Sequence, residues 1–289
     1  MRKIFPVLIL TIIYAGPLSG ETPRALWVWE TEEIIREQDG VKKLIKFSTE
    51  KNIGTIFLYS GKELFAKDAE RSEIKKLLKA AHAAKIKVHA LDGWPDAVYE
   101  ENRGEFISSL KNILEFNAES KADERFDGFQ SDVEPYNLPE FKASPEKRRE
   151  IEGLFVGLHA ECRKIAGEKF KLGLAISERY SHEETSVPEE MLKIVDYLAV
   201  MAYRSNAEKI INSSAYFVDA ASIAGKKVWV GVETGKPDGE PASISFFGRS
   251  ECEMEKVLER VIMQFSGREA FAGIAIHSYK SYVIMDNSR

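Results

Sequence analysis

The sequence predicts a single (β/α)8 barrel of the TIM-barrel class, and three features carry that prediction. The chain is 289 residues long and 44% hydrophobic, enough apolar material for one large core. Eight short runs rich in Val, Ile, Leu and Ala recur from Ala25 onward. Between them lie stretches whose apolar residues fall three or four apart, the helical period. Strand and helix in regular alternation call for a parallel sheet covered by helices, and eight such units close into a barrel. A doubly wound open sheet is the rival, but no glycine-rich phosphate loop follows the first strand.

The strands begin near Ala25 (ALWVWE), Ile53 (IGTIFLYS), Ile86 (IKVHALDG), Phe126 (FDGFQSDVE), Phe170 (FKLGLAIS), Asp196 (DYLAVMAY), Lys227 (KVWVGVE) and Phe271 (FAGIAIHSY). One helical stripe is Ile74, Leu77, Leu78 and Ala81; another is Ile151, Leu154, Phe155, Leu158 and Cys162. Ser144-Pro145-Glu146 reads as an N-cap followed by proline at the first helical position. Gly167 and Gly225 stand where helices should stop before the next strand. Residues 235–249, after the seventh strand, hold two prolines and three glycines and read as a functional loop beside the cleft.

Residues 1–20 are a separate object. Arg2 and Lys3 open an apolar run over 4–15, which ends in a small, turn-prone stretch, the pattern of a secretory signal peptide. The run is too short to span a bilayer, which needs about 20 apolar residues. The expected organisation is a removable leader over 1–20 and a barrel over 21–289, exported, acidic, without a membrane span and monomeric.

The net charge of −5 argues against a nucleic-acid partner, which would need a basic face. Two cysteines, Cys162 and Cys252, are too few for a disulfide scaffold, and they fall on helices that a barrel does not make neighbours. No CxxC or histidine-rich spacing suggests a metal; His82, His89, His159 and His182 show no ligand pattern. No metal or organic cofactor is expected.

In a barrel of this class the chemistry sits at the C-terminal ends of the strands. Those ends carry Trp29, Tyr59, Asp92, Trp94, Asp132, Glu134, Glu178, Arg179, Tyr203, Arg204, Glu233, His277 and Tyr279, an aromatic and acidic rim that suits sugars. One of Trp27 and Trp29 should reach this cup and the other pack the core; Trp229 reads as barrel packing, and Glu178 with Arg179 as a rim ion pair. The fourth strand is the most informative. Its alternation puts Gln130, Asp132 and Glu134 on one face, with the last two Cα atoms about 6–7 Å apart. Repulsion between two carboxyls this close should raise one apparent pKa, and an acid beside a carboxylate is what glycosidic bond cleavage needs. Asp127 lies on the opposite face and reads as structural.

Phe126-Asp127-Gly128-Phe129-Gln130-Ser131-Asp132-Val133-Glu134 resembles the DxxDxDxE signature of family 18, chitinase-like glycoside hydrolases. His89-Ala90-Leu91-Asp92-Gly93-Trp94 is similar to the family's SxGGW, and Met201-Ala202-Tyr203 to its MxY. The resemblance implies retaining hydrolysis of a β-linked glycan containing N-acetylhexosamine, without an enzyme nucleophile. It implies Glu134 as acid and base, Asp132 as the group that orients the substrate's 2-acetamido, and Tyr203 as its hydrogen-bond partner. Gln130, Trp29, Tyr59, Asp92, Trp94, Tyr136, Met201, Glu233, His277 and Tyr279 complete the expected sugar-binding set. The chain departs from the pattern at Gln130 and at Arg204, where the family has aspartates, and in the missing Ser and glycine of the third strand. Gln130 can still hydrogen-bond Asp132 and, adding no like charge, should leave it ionised more readily than the family's aspartate would.

Two rivals use the same residues. In a clan A retaining glycosidase Glu134 would be the acid/base and Glu233 the nucleophile, although asparagine normally precedes the acid there and this chain has Val133. In a non-catalytic carbohydrate-binding barrel the rim aromatics would hold a glycan left intact.

Overall fold

The computed structural model describes residues 22–286 apart from 66, 183, 237, 238 and 240. The expected leader over 1–20 lies outside these residues. Eight parallel strands close in sequence order: β1 (Arg24–Val28), β2 (Ile53–Tyr59), β3 (Lys87–Asp92), β4 (Gly128–Ser131), β5 (Lys171–Ser177), β6 (Tyr197–Met201), β7 (Lys227–Glu233) and β8 (Phe271–His277). The surrounding helices are α1 (Thr31–Arg36), α2 (Gly40–Glu50), α3 (Asp68–Ala83), α4 (Glu100–Ala118), α5 (Pro145–Ala166), α6 (Val187–Ile194), α7 (Ala207–Ala224), α8 (Glu251–Phe265) and α9 (Tyr279–Asp286). Among the described residues, no helix is long and apolar enough to cross a membrane.

The expected (β/α)8 barrel is the observed one, and the local signals that predicted it are physically used. Ser144 accepts the amide of Lys147 at 3.2 Å to cap α5, with Pro145 at its first position. Gly167 and Gly225 end α5 and α7 with φ of 69° and 65°, where a side chain would be strained. Ile74, Leu77, Leu78 and Ala81 are fully buried, as are Ile151, Phe155 and Leu158; Leu154 is half-buried. Cys162 is buried in α5, Cys252 is exposed on α8, and both are free thiols.

Two strands stop earlier than their patterns suggest. The fourth run continues to Glu134 in sequence, but β4 ends at Ser131. Asp132 N still donates to Asp92 O at 2.9 Å, and then Pro135, which has no N–H for a ladder, opens a short turn. β6 ends at Met201, two residues before Tyr203, where Ala202 N folds back to Val200 O at 2.8 Å. Both endings lift the residues that follow out of the wall and onto the mouth.

Inside the barrel Ala25, Trp27, Phe57, Leu91, Tyr197, Ala199 and Ala275 form one apolar cluster, with Trp29 and Trp229 packed against it. Trp27 is therefore core, 1% exposed, and Trp229 is packing. Phe57 stacks on Tyr197 at 5.9 Å, and Tyr197 Oη lies 2.8 Å from His89 Nδ1. Asp127 accepts the amide of Val88 at 2.8 Å and lies 3.0 Å from His82 Nε2, in a structural position on the outer, lower side of the wall. The β1–β8 seam is braced by charge. Arg24 makes a two-pronged pair with Glu255 at 2.6–2.7 Å, and Lys51 bridges Glu251 and Asp286 at 2.6 and 2.7 Å.

Gly173 on β5 is small because Tyr197 fills the space beside it: an added Cβ would stand 1.9 Å from the tyrosine ring. Gly173→Ala should cost about 1–3 kcal/mol through overpacking. Thermal unfolding should show Tm lower by roughly 2–4 °C per kcal/mol.

Candidate active site

The C-terminal mouth is built outward from β4. Phe129 meets Phe106 of α4 edge-on at 5.8 Å, Ser131 Oγ donates to His159 Nε2 at 2.8 Å, and Val133 is 1% exposed. The carbonyl of Phe155, 2.8 Å from His159 Nδ1, can only accept, so the ring proton sits on Nδ1 and Nε2 accepts from serine. Burial pushes this imidazole down to about 4. With the odd-numbered residues tied into the helix layer, Gln130, Asp132 and Glu134 are left to the barrel axis.

Asp132 and Glu134 are half-buried neighbours. Glu134 Oε1 accepts the hydroxyl of Tyr136, and Oε2 accepts from Asn137 Nδ2 at 2.9 Å. Burial raises the Glu134 pKa, opposed by the Tyr136 and Asn137 donors and by the charge of Arg179. Asp132 is pushed up to about 7, first by burial and then by the charge of Glu134. Enclosure thus raises Asp132 even though position 130 carries no like charge. The expected hydrogen bond from Gln130 to Asp132 is not formed. Gln130 is fully buried, and its amide oxygen, its amide nitrogen and Asp132 Oδ1 have no hydrogen-bond partner among the described residues. Each unpaired group costs roughly 1–3 kcal/mol.

Tyr203 follows β6 at the mouth, beside His277. Its hydroxyl is raised well above the usual range by burial and then by the carboxylates of Glu233, Asp132 and Glu134. Its ring lies 5.7 Å from that of His277. Met201, half-buried, closes β6 beneath it.

Glu233 is held in a relay. Oε1 accepts the amide of Gly235 at 2.5 Å, and Oε2 lies 2.7 Å from His277 Nδ1. Trp29 Nε1, which can only donate, gives its proton to His277 Nε2 at 2.9 Å. His277 therefore carries its proton on Nδ1 and donates to Glu233. Trp29 is the tryptophan of the first strand that reaches the mouth, 5.9 Å from the Tyr59 ring.

Tyr59, Asp92 and Trp94 line an adjoining cavity of about 430 Å³ together with Lys62, Glu63 and Glu105. Tyr59 donates to Glu63 at 3.0 Å, and Trp94 packs edge-on against Phe106 at 5.8 Å. Asp92 accepts the amide of Gly93 at 2.9 Å, and burial raises its pKa. A second cavity, of about 370 Å³, runs past Glu233 and His277 to Phe247 and Ile284.

Two further expectations differ from the structure. Tyr279 does not join this group, because it opens α9 and packs edge-on against Phe47 of α2 at 5.5 Å. Glu178 does not pair with Arg179. It is taken by Arg204 and the hydroxyl of Ser213, while Arg179 lies over the Tyr136 ring at 4.6 Å. The sequence reading missed Asn137; an amide three residues after the acid, in a proline-started turn, was its only signal. Among the described residues, no group of three or more His, Cys, Asp or Glu side chains is placed to hold a metal.

An acid whose folded pKa exceeds its unfolded value keeps a proton in the folded chain after the unfolded chain has lost it, so stability falls as pH rises between the two. For Asp132 that window runs from the usual 3.8 to about 7. The Tm advantage of Asp132→Asn over the wild type should therefore grow across this window and level off above it. A difference independent of pH would show that Asp132 is ionised throughout.

No family model and no curated protein sequence matches this chain. Solved structures do. The chain is similar to a family 18 chitinase from Pseudoalteromonas aurantia, with a TM-score of 0.60 at 14% identity, over 91% of this chain and 96% of that one. It is similar to the spore cortex-lytic enzyme SleL of Bacillus cereus, with a TM-score of 0.55 at 10% identity, over 89% and 71% of the two chains. A family 99 endo-alpha-mannosidase from Bacteroides thetaiotaomicron aligns with a TM-score of 0.56 at 11% identity, over 88% and 82%. At these identities the likeness is one of fold: the chain shares the eight-stranded barrel of these glycoside hydrolases and stands far from each in sequence.

Proposed function

We propose that this chain is an exported glycoside hydrolase of the family 18 type that cleaves a β-linked glycan with retention. Its substrate would carry an N-acetylhexosamine on the glycone side of the scissile bond. One observation carries the reading: Asp132 and Glu134 follow β4 at the C-terminal mouth as alternate, half-buried residues, and the charge of Glu134 raises the pKa of Asp132.

The pair shares a proton up to about pH 7. A bound 2-acetamido group supplies an N–H that Asp132 accepts as carboxylate, which leaves the proton on Glu134, the acid of the glycosidic oxygen. The acetamido carbonyl oxygen attacks the anomeric carbon as the bond to the leaving sugar breaks and Glu134 gives up its proton. Tyr203 donates to the acetamido oxygen and holds it in line. Glu134 then takes a proton from water, which opens the cyclic intermediate and restores the configuration.

A covalent route through Glu233 is disfavoured because it leaves Asp132 and Tyr203 without a role, and because Val133 stands where asparagine normally precedes the acid. A binding barrel without catalysis has no use for a shared proton on two enclosed acids, which costs folding stability above the lower pKa.

Glu134→Gln should lower kcat by about 10²–10⁴ while oligosaccharide binding survives. Unchanged turnover of a chito-oligosaccharide would reject the assignment. Replacing the 2-acetamido of the substrate by hydroxyl should abolish cleavage, whereas the Glu233 route would tolerate it. The kcat/KM profile should fall as pH rises past about 7, where the shared proton is lost.

A further inference from the structure

Arg179 starts the turn after β5, where Ser177 Oγ accepts its amide at 3.4 Å. Its guanidinium carbon stands 4.6 Å from the centroid of the Tyr136 ring, and the hydroxyl of that ring donates to Glu134. The carboxylate nearest in sequence, Glu178, is occupied by Arg204 and Ser213. Among the described residues Arg179 forms no salt bridge and its side chain no hydrogen bond. The chain has 46 acidic residues against 41 basic ones, so partners were plentiful. A guanidinium stacked on an aromatic face keeps its N–H edge open, and that planar fork matches a carboxylate. The stack also fixes the side chain in advance, so little entropy is lost when a ligand binds.

We propose that Arg179 binds a carboxylate on the sugar that leaves, so that the substrate is an acidic glycan in which an N-acetylhexosamine is followed by a carboxylated sugar. The direction rests on the hydrolase reading above: Glu134 faces the departing oxygen, and Arg179 acts on Glu134 through Tyr136. At the other side of the mouth Lys236 and Lys280 are exposed on the cavity that holds Glu233 and His277, and neither forms a salt bridge among the described residues. Cations on both flanks of the acids suit a chain that repeats its negative charge.

The test compares three β-linked N-acetylglucosamine polymers: chito-oligosaccharide, which is neutral; peptidoglycan glycan strands, with a lactyl ether carboxylate on alternate sugars; and hyaluronan, with alternate uronic acids. The wild type should prefer one carboxylated polymer over the neutral one by tenfold or more in kcat/KM. Which polymer wins says whether the carboxylate comes from the ether or from the ring. Arg179→Gln should reduce that preference about 10–100-fold, chiefly through KM, and Arg179→Lys should recover only part of it, because an ammonium cannot make the fork. Equal rates on neutral and acidic polymers, or a preference unchanged in Arg179→Gln, would overturn the proposal. So would an equal loss on all three with a displaced pH profile, which would mean that Arg179 acts only on Glu134. If the wild type cleaves none of them, the hydrolase reading fails separately. Calorimetry on Glu134→Gln with and without Arg179→Gln then decides: Arg179-dependent binding of an acidic strand upholds the proposal, and indifferent binding ends it.

Discussion

The strict alternation of side chains through β4 governs the whole site. Phe129, Ser131 and Val133 are each held by the helix layer, through Phe106, through His159 and by burial. Gln130, Asp132 and Glu134 then have nowhere to go but the axis. A slip of one residue would put two carboxyls among the apolar side chains of α4 and α5 and expose a phenylalanine at the mouth. Because the outward contacts would all be lost together, the inward acids are placed by packing energy they do not themselves supply. The hydrogen bond from Asp132 N to Asp92 O extends this control one residue past the strand, and Pro135 ends it.

Enclosure then does the electrostatic work. Water would let both acids ionise, but in the mouth their charges are poorly screened and poorly solvated. Neighbours divide the consequences unevenly. Glu134 is given two donors, Tyr136 and Asn137, whereas Asp132 Oδ1 and the amide of Gln130 beneath it are given none. The opposite wall is organised in the reverse sense. Gly235, Glu233, His277 and Trp29 satisfy one another in sequence, which leaves that side rigid and chemically quiet. The contrast between an unsatisfied wall and a satisfied one distinguishes groups waiting for a ligand from groups that shape its bed.

The mouth keeps its geometry only while the barrel stays closed. That closure depends on the junction of first and last strands, where Arg24–Glu255 and the Lys51 bridge to Glu251 and Asp286 tie the β1 and α2 ends to α8 and α9. Lys51 and Glu251 are 10% and 8% exposed, so removing either partner would strand a charge in a nearly dry setting. Charge at the seam and apolar layering within therefore serve the same end: His277 on β8 can meet Trp29, just beyond β1, only across that junction.

The sequence by itself determined the barrel, its eight strands, the caps of α5 and α7 and the rim residues, because these follow from periodicity and from local backbone preference, which neighbours in the chain set. It also put Asp132 and Glu134 on one face, since alternation is local too. Tertiary structure alone decided who partners whom. Glu178 meets Arg204 rather than Arg179, and Tyr279 turns to Phe47, because those choices depend on how far separate loops reach over the mouth. The raised pKa of Asp132 has the same origin. Enclosure comes from side chains on other strands, and no pattern within one segment reports how much water its neighbours leave.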